Sequence, residues 1–151
     1  MAVHDSEKTT VRAAAPKDAD AVAAIYNHFV LRTIVTFEEE AVSPAEIARR
    51  MDEVRTASLP WLVAGRVGAV VGYAYATAWR TRRGYRYSTE VTVYVAPDEG
   101  RRGIGSLLYG DLIAALQERG IHAALGGIAL PNDGSVALHE KFGFKKVAHF
   151  E

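Results

Sequence analysis

The stretch from Val91 to Leu116 constrains this chain more than any other. Val91, Val93 and Val95 alternate with Glu90, Thr92 and Tyr94, the period-two pattern of a strand. Ala96-Pro97-Asp98-Glu99-Gly100-Arg101-Arg102-Gly103-Ile104-Gly105 then breaks the strand. Apolar residues follow at helical spacing, at Ile104, Leu107, Leu108, Leu112, Ala115 and Leu116, and Gly120 ends the run. A strand that feeds a glycine turn and then a helix brings unpaired backbone N–H groups and the positive end of the helix dipole to one place. That is a ready cradle for phosphate. Gly103 and Gly105 allow a sharp turn and a close approach to a ligand, and Arg101 and Arg102 add positive charge beside it. Other phosphate motifs fit poorly. A dinucleotide fingerprint needs a third glycine where Leu108 stands, and a P-loop needs a lysine that the segment lacks.

The rest of the chain supplies a mixed α/β frame. Thr10 to Ala14 reads as a first strand, and Val22, Ile25, Tyr26, Phe29 and Val30 give a helical stripe. Ser43-Pro44-Ala45-Glu46 predicts a helix start, with a hydroxyl cap, proline in the first turn and glutamate three residues on. Trp61–Ala64 and Ala69–Trp79 read as strands joined at Gly65-Arg66-Val67-Gly68. This apolar stretch could pass for a membrane span, but its glycines, valines and Arg66 favour a hairpin. His122 to Leu130 predicts a further strand, Pro131-Asn132 opens a helix through Leu138 and Phe142, and Phe144 to Phe150 predicts a last strand. The 151 residues suit one domain over 11–151, after a polar, loose leader at 1–10. Eighteen basic residues balance eighteen acidic ones, which gives no reason to expect nucleic acid or an anionic membrane as partner. The absence of cysteine excludes disulfides, thiolate metal sites and a thiol nucleophile, and it fits a reducing cytoplasm. The histidines show no metal-ligand spacing, and no metal is expected.

Val93-Tyr94-Val95 followed by Gly100-Arg101-Arg102-Gly103-Ile104-Gly105 resembles the acetyl-CoA motif of the GCN5-related N-acetyltransferases (GNAT). Gly100 stands where that family usually has glutamine or arginine. Tyr26-Asn27-His28, Thr36-Phe37-Glu38, the segment Trp79 to Glu90, and Leu130-Pro131-Asn132-Asp133 with Ser135 and Leu138-His139-Glu140 resemble its phosphinothricin and methionine sulfoximine acetyltransferase branch. The likeness runs from about Val11 to the end. It implies a mostly antiparallel central sheet flanked by helices. Similar proteins continue past Phe150 with a turn and a final strand, which this sequence does not contain.

The resemblance also implies site residues. Acetyl-CoA is expected along Thr92, Val93, Tyr94 and Val95, over Gly100, Arg101, Arg102, Gly103, Ile104 and Gly105, and near Asn132, Ser135 and Lys141. Glu90 is the candidate base for the acceptor amine, against the plainer reading of an edge-strand charge in water. His139 stands where much of the family has a tyrosine that protonates the departing thiolate, and acid, base and binding roles all stay open for it. Phe37, Trp79, Arg80, Arg82 and Tyr85, with Thr89, Glu90 and Val91, resemble the pocket of a small amino-acid-like acceptor. A cytoplasmic homodimer acting on a small amine is the expectation. The alternatives are a protein N-terminal or lysine acetyltransferase, or a catalytically weak acyl-CoA-binding protein.

Overall fold

The computed structural model describes residues 8–100 and 102–150. Most of the expected leader and Arg101 lie outside the described residues.

Strands β1 (Thr10–Ala13), β2 (Trp61–Arg66), β3 (Ala69–Ala78), β4 (Ser88–Val95) and β5 (Ala123–Leu125) form one sheet in the order β1-β2-β3-β4-β5. The first four run as an antiparallel meander, and β5 lies parallel to β4. Helices α1 (Ala19–Arg32) and α2 (Pro44–Thr56) connect β1 to β2. Helix α3 (Ile104–Glu118) links β4 to β5, and α4 (Asp133–Lys141) follows β5.

Local chemistry explains most boundaries. The Ser43 side chain accepts from the Glu46 N–H at 3.1 Å, which starts α2 where its capping residues foretell. The turn between β2 and β3 is tighter than the four residues expected. Val67 and Gly68 both take positive φ, 51° and 74°, as a two-residue hairpin turn requires, so β2 runs on to Arg66.

Two expectations fail. The strand expected over His122–Leu130 stops at Leu125, where its pairing with β4 ends. The last strand expected over Phe144–Phe150 does not form. Alternating apolar residues make a strand only beside a ladder partner. Phe144 instead returns its N–H to the His139 carbonyl at 3.1 Å, and Val147 and Phe150 are 87% and 91% exposed.

The sheet separates two cores. On one face Trp61, Val63 and Tyr73 pack with Val22, Ile25, Ile47 and Val54 of α1 and α2. On the other, Ala74, Ala76 and Val91 pack with Ile104, Leu108 and Leu112 of α3. Gly72 lets α3 sit close. A Cβ there would lie 3.1 Å from Ile104 Cγ2, Leu108 Cδ1 and the Tyr94 carbonyl. That contact fixes the start of α3 against the end of β4.

Candidate active site

The hydrogen-bond parity of β4 sets the geometry. Trp79 donates its N–H to Ser88 O at 3.2 Å, and Ala96 donates to Val71 O at 2.8 Å. With Thr77↔Glu90, Tyr75↔Thr92 and Tyr73↔Tyr94 in register, the backbone groups of Glu90, Thr92 and Tyr94 are taken by β3. Those of Val91, Val93 and Val95 face β5. But β5 pairs with β4 only at Ser88↔Ala123, Thr89↔Ala124 and Glu90↔Leu125. Beyond Glu90 the two strands part, and Val93 and Val95 direct backbone N–H and C=O groups into the gap with no strand beside them among the described residues. Of the stretch Thr92–Val95 expected along acetyl-CoA, the open-edge backbone groups therefore belong to Val93 and Val95.

The glycine turn lies at the far end of this gap. Gly103 has φ 76°, a left-handed conformation that favours glycine, and its carbonyl accepts from Leu107 N at 3.0 Å to begin α3. The first-turn N–H groups at Ile104 to Ser106 precede that bond, and the turn carries no carboxylate to compete for them. Gly105 serves a second purpose, since a Cβ there would lie 3.2 Å from Leu138 Cδ2 of α4. Gly100 takes an ordinary extended conformation with open space around it, so nothing in the backbone demands glycine there. Arg102 pairs with Glu99 at 3.2 Å, and Arg66 reaches the same carboxylate at 2.8 Å. Lys141 Nζ donates to Ser106 Oγ at 2.9 Å and ties α4 to the first turn of α3. Asn132 caps α4 by accepting from Ser135 N at 3.2 Å.

Side-chain alternation then sorts the remaining residues of β4. Glu90, Thr92 and Tyr94 face the α1/α2 side, where Tyr94 packs against Tyr26, Phe29 and Tyr73. Burial pushes the Tyr94 hydroxyl up to about 12. Burial also raises Tyr75, while its hydrogen bond to Thr92 opposes the rise. Thr89 and Val91, expected at the acceptor, turn their side chains into buried positions on the α3 side. Only their backbone can face a ligand.

His139 is 6% exposed and occupied on both ring nitrogens. Nδ1 lies 2.7 Å from the Ser135 carbonyl, which can only accept, so Nδ1 carries the proton. Nε2 then accepts from the Tyr109 hydroxyl at 2.9 Å. Burial raises the pKa of Tyr109 well above its usual range. His139 also lies against Gly126, just past β5, while the next residue, Gly127, faces Glu90. Sequence reasoning missed Tyr109, Gly126 and Gly127. The signals were a tyrosine inside an apolar helix stripe, which needs a partner, and a Gly-Gly pair inside a strand pattern, which marks close approach.

The acceptor residues are only partly gathered. Arg80 stacks over Trp79 and Tyr85, 5.4 Å and 5.7 Å from their ring centres. Arg82 is exposed and takes no part in that stack. Phe37 is 99% exposed, so in a single chain it forms no pocket wall. Its neighbour Glu38 is held by Arg50, at 2.5 Å and 3.1 Å, and by the Tyr26 hydroxyl. Among the described residues no cluster of side chains could hold a metal ion, and no helix is long and apolar enough to cross a membrane.

A parted strand pair, a glycine turn at a helix start and a carboxylate at the point of parting are features that an acyl-CoA-dependent transferase would use. Residues 22–144 match the Acetyltransferase (GNAT) family, and the chain belongs to it. It is 38% identical to a phosphinothricin N-acetyltransferase of Streptomyces coelicolor, over 93% of this chain and 84% of that protein. It is 34% identical to an L-methionine sulfoximine/L-methionine sulfone acetyltransferase of Salmonella typhimurium, over 92% and 81%. Among solved structures, a phosphinothricin acetyltransferase of Sinorhizobium meliloti in complex with AcCoA superposes with a TM-score of 0.87 at 35% identity, over 91% and 75%.

Proposed function

We propose that this chain transfers the acetyl group of acetyl-CoA to the amine of a small amino acid or analogue, of the phosphinothricin or methionine sulfoximine kind. One observation carries the reading: the Glu90 carboxylate stands where β4 and β5 part, next to the open-edge backbone of Val93 and Val95. The names of the relatives support the acceptor class.

Gly103 to Gly105 and the first turn of α3 hold the pyrophosphate, and the gap holds the pantetheine arm. Glu90 takes a proton from the acceptor amine, directly or through water. The nitrogen bonds the acetyl carbon, and the carbon–sulfur bond breaks. Backbone N–H groups on the open edge of β4 stabilise the oxygen as its charge grows. The thiolate takes a proton from water. His139, with both nitrogens occupied, is assigned to holding Gly126 and α4 in place. The Trp79–Arg80–Tyr85 stack offers a cation to the acceptor's carboxylate.

Glu90→Gln tests the mechanism. Thiol release should fall on the order of 10²–10⁴-fold, the share a positioned base supplies, with acetyl-CoA affinity unchanged. Undiminished turnover would remove Glu90 from the reaction. The working form we infer is a cytoplasmic homodimer. The cysteine-free sequence supports the compartment, and the exposed Leu31, Ile34 and Phe37 support the assembly. Sedimentation velocity at micromolar concentration should show twice the chain mass, and a lone monomer there would rule the dimer out.

A further inference from the structure

β5 ends at Leu125, and the chain goes on through two glycines whose missing side chains meet different surroundings. A Cβ on Gly126 would lie 2.6 Å from His139 Nε2 and 2.8 Å from its Cδ2, so that space is already filled. A Cβ on Gly127 would meet a single heavy atom within 4 Å among the described residues, Glu90 Oε1 at 3.7 Å. Neither glycine takes a positive φ. Gly126 is therefore explained by packing. Gly127 is explained by neither packing nor backbone geometry, since its backbone admits any residue and its Cβ position is open. What glycine provides at 127 is room, and that room borders the carboxylate assigned to receive the amine's proton.

We propose that Gly127 is a specificity-determining residue, and that the space it leaves beside Glu90 accepts the side chain of the acceptor amino acid. The site then suits α-amino acids whose side chains carry several heavy atoms. A residue with a Cβ at 127 narrows the same space and favours small acceptors. Thr92 of β4 and its register partner Tyr75 of β3 lie on the face of the sheet to which Glu90 points. This inference rests on the proposed function, with an amino-acid acceptor held beside Glu90.

The test compares wild type, Gly127→Ala and Gly127→Val by thiol release at saturating acetyl-CoA. The acceptors are glycine, alanine, leucine, methionine, phenylalanine, methionine sulfoximine and phosphinothricin. Wild type should favour the larger acceptors. In Gly127→Val, kcat/KM for leucine, methionine and phenylalanine should fall roughly tenfold or more relative to alanine, the scale on which hydrophobic pockets sort side-chain size. KM for acetyl-CoA should not move. Gly127→Ala should shift the same ratio less, and it keeps the comparison open if the valine variant does not fold. Loss by one common factor across all acceptors, or no change in the ratio, overturns the inference and leaves the proposed function intact. A wild-type chain that acetylates none of the panel sinks both. Undiminished turnover by Glu90→Gln, with the Gly127 ratio still shifting, removes the base and keeps the pocket.

Discussion

Tyr109 donates its hydroxyl proton to His139 Nε2 where both side chains are almost entirely buried. The pairing is one-directional. Ser135 O fixes the proton on Nδ1, so Nε2 is an acceptor that, among the described residues, Tyr109 satisfies. Tyr109→Phe keeps the ring contacts with Phe142 and Phe144 and removes only the donor. A buried acceptor left unpaired costs about 1–3 kcal/mol. In a chain of this size each kcal/mol lowers Tm by roughly 2–4 °C. Calorimetry should show that loss, and because water is assigned the thiolate's proton, kcat below the melting range should stay within a few-fold of wild type. A far larger fall in kcat would return His139 and Tyr109 to the proton path. At this scale the sequence pointed to His139 through its motif but not to its state, because hydrogen bonds to residues 30 positions away leave no mark in local spacing.

Elements show a similar division between what local chemistry encodes and what it leaves to tertiary neighbours. The Ser43 cap, the stripe of α3 and the alternation of β4 are local, and each was legible. β5 and the segment after Phe144 were overread, because pairing depends on a partner strand that sequence alternation cannot supply. Local spacing likewise does not encode the parting of β4 from β5. The loop from α1 to α2 is fastened by two side-chain clasps. Asn27 bonds Val42 N and O at 2.7 Å and 2.8 Å, while Glu38 bonds Arg50 and Tyr26. The fully exposed Phe37 immediately precedes Glu38. The Arg50 guanidinium holds Glu38 below the usual carboxylate range, against the opposing effect of partial burial. A carboxylate whose pKa is lowered by folding adds stability above its unfolded value, and that stability fades as pH falls through the folded value. The loop should therefore loosen in acid. Hydrogen exchange of the amides over 33–42 should speed up from neutral pH to about pH 3, beyond the intrinsic change. Glu38→Ala should show the same loosening already at neutral pH, with α3 still protected. Equal protection of the loop in wild type and Glu38→Ala would show that the Asn27 clasp alone holds it.

For the whole molecule, the sheet acts as a partition with one breach. Glu90, Thr92 and Tyr94, on the proposed acceptor side, point to the α1/α2 face. The proposed cofactor cradle lies with α3 and α4 on the other face. Among the described residues the two sides meet where β4 and β5 part, so a cofactor bound as proposed would touch elements on both faces. Such a ligand stabilises the folded chain by mass action, by about 2.7 kcal/mol at a hundredfold excess over Kd. At roughly 2–4 °C per kcal/mol, acetyl-CoA should raise Tm by about 5–11 °C. Gly103→Ala provides the control. Its φ of 76° places a Cβ in left-handed strain worth roughly 1–2 kcal/mol, with nothing among the described residues within 4 Å to clash. The unliganded variant should melt a few degrees lower, and its acetyl-CoA shift should shrink by more than half as the turn relaxes away from the phosphate. A full-sized shift in Gly103→Ala would mean that the pyrophosphate is held elsewhere than at the start of α3. An absent shift in wild type would remove acetyl-CoA from this cradle altogether.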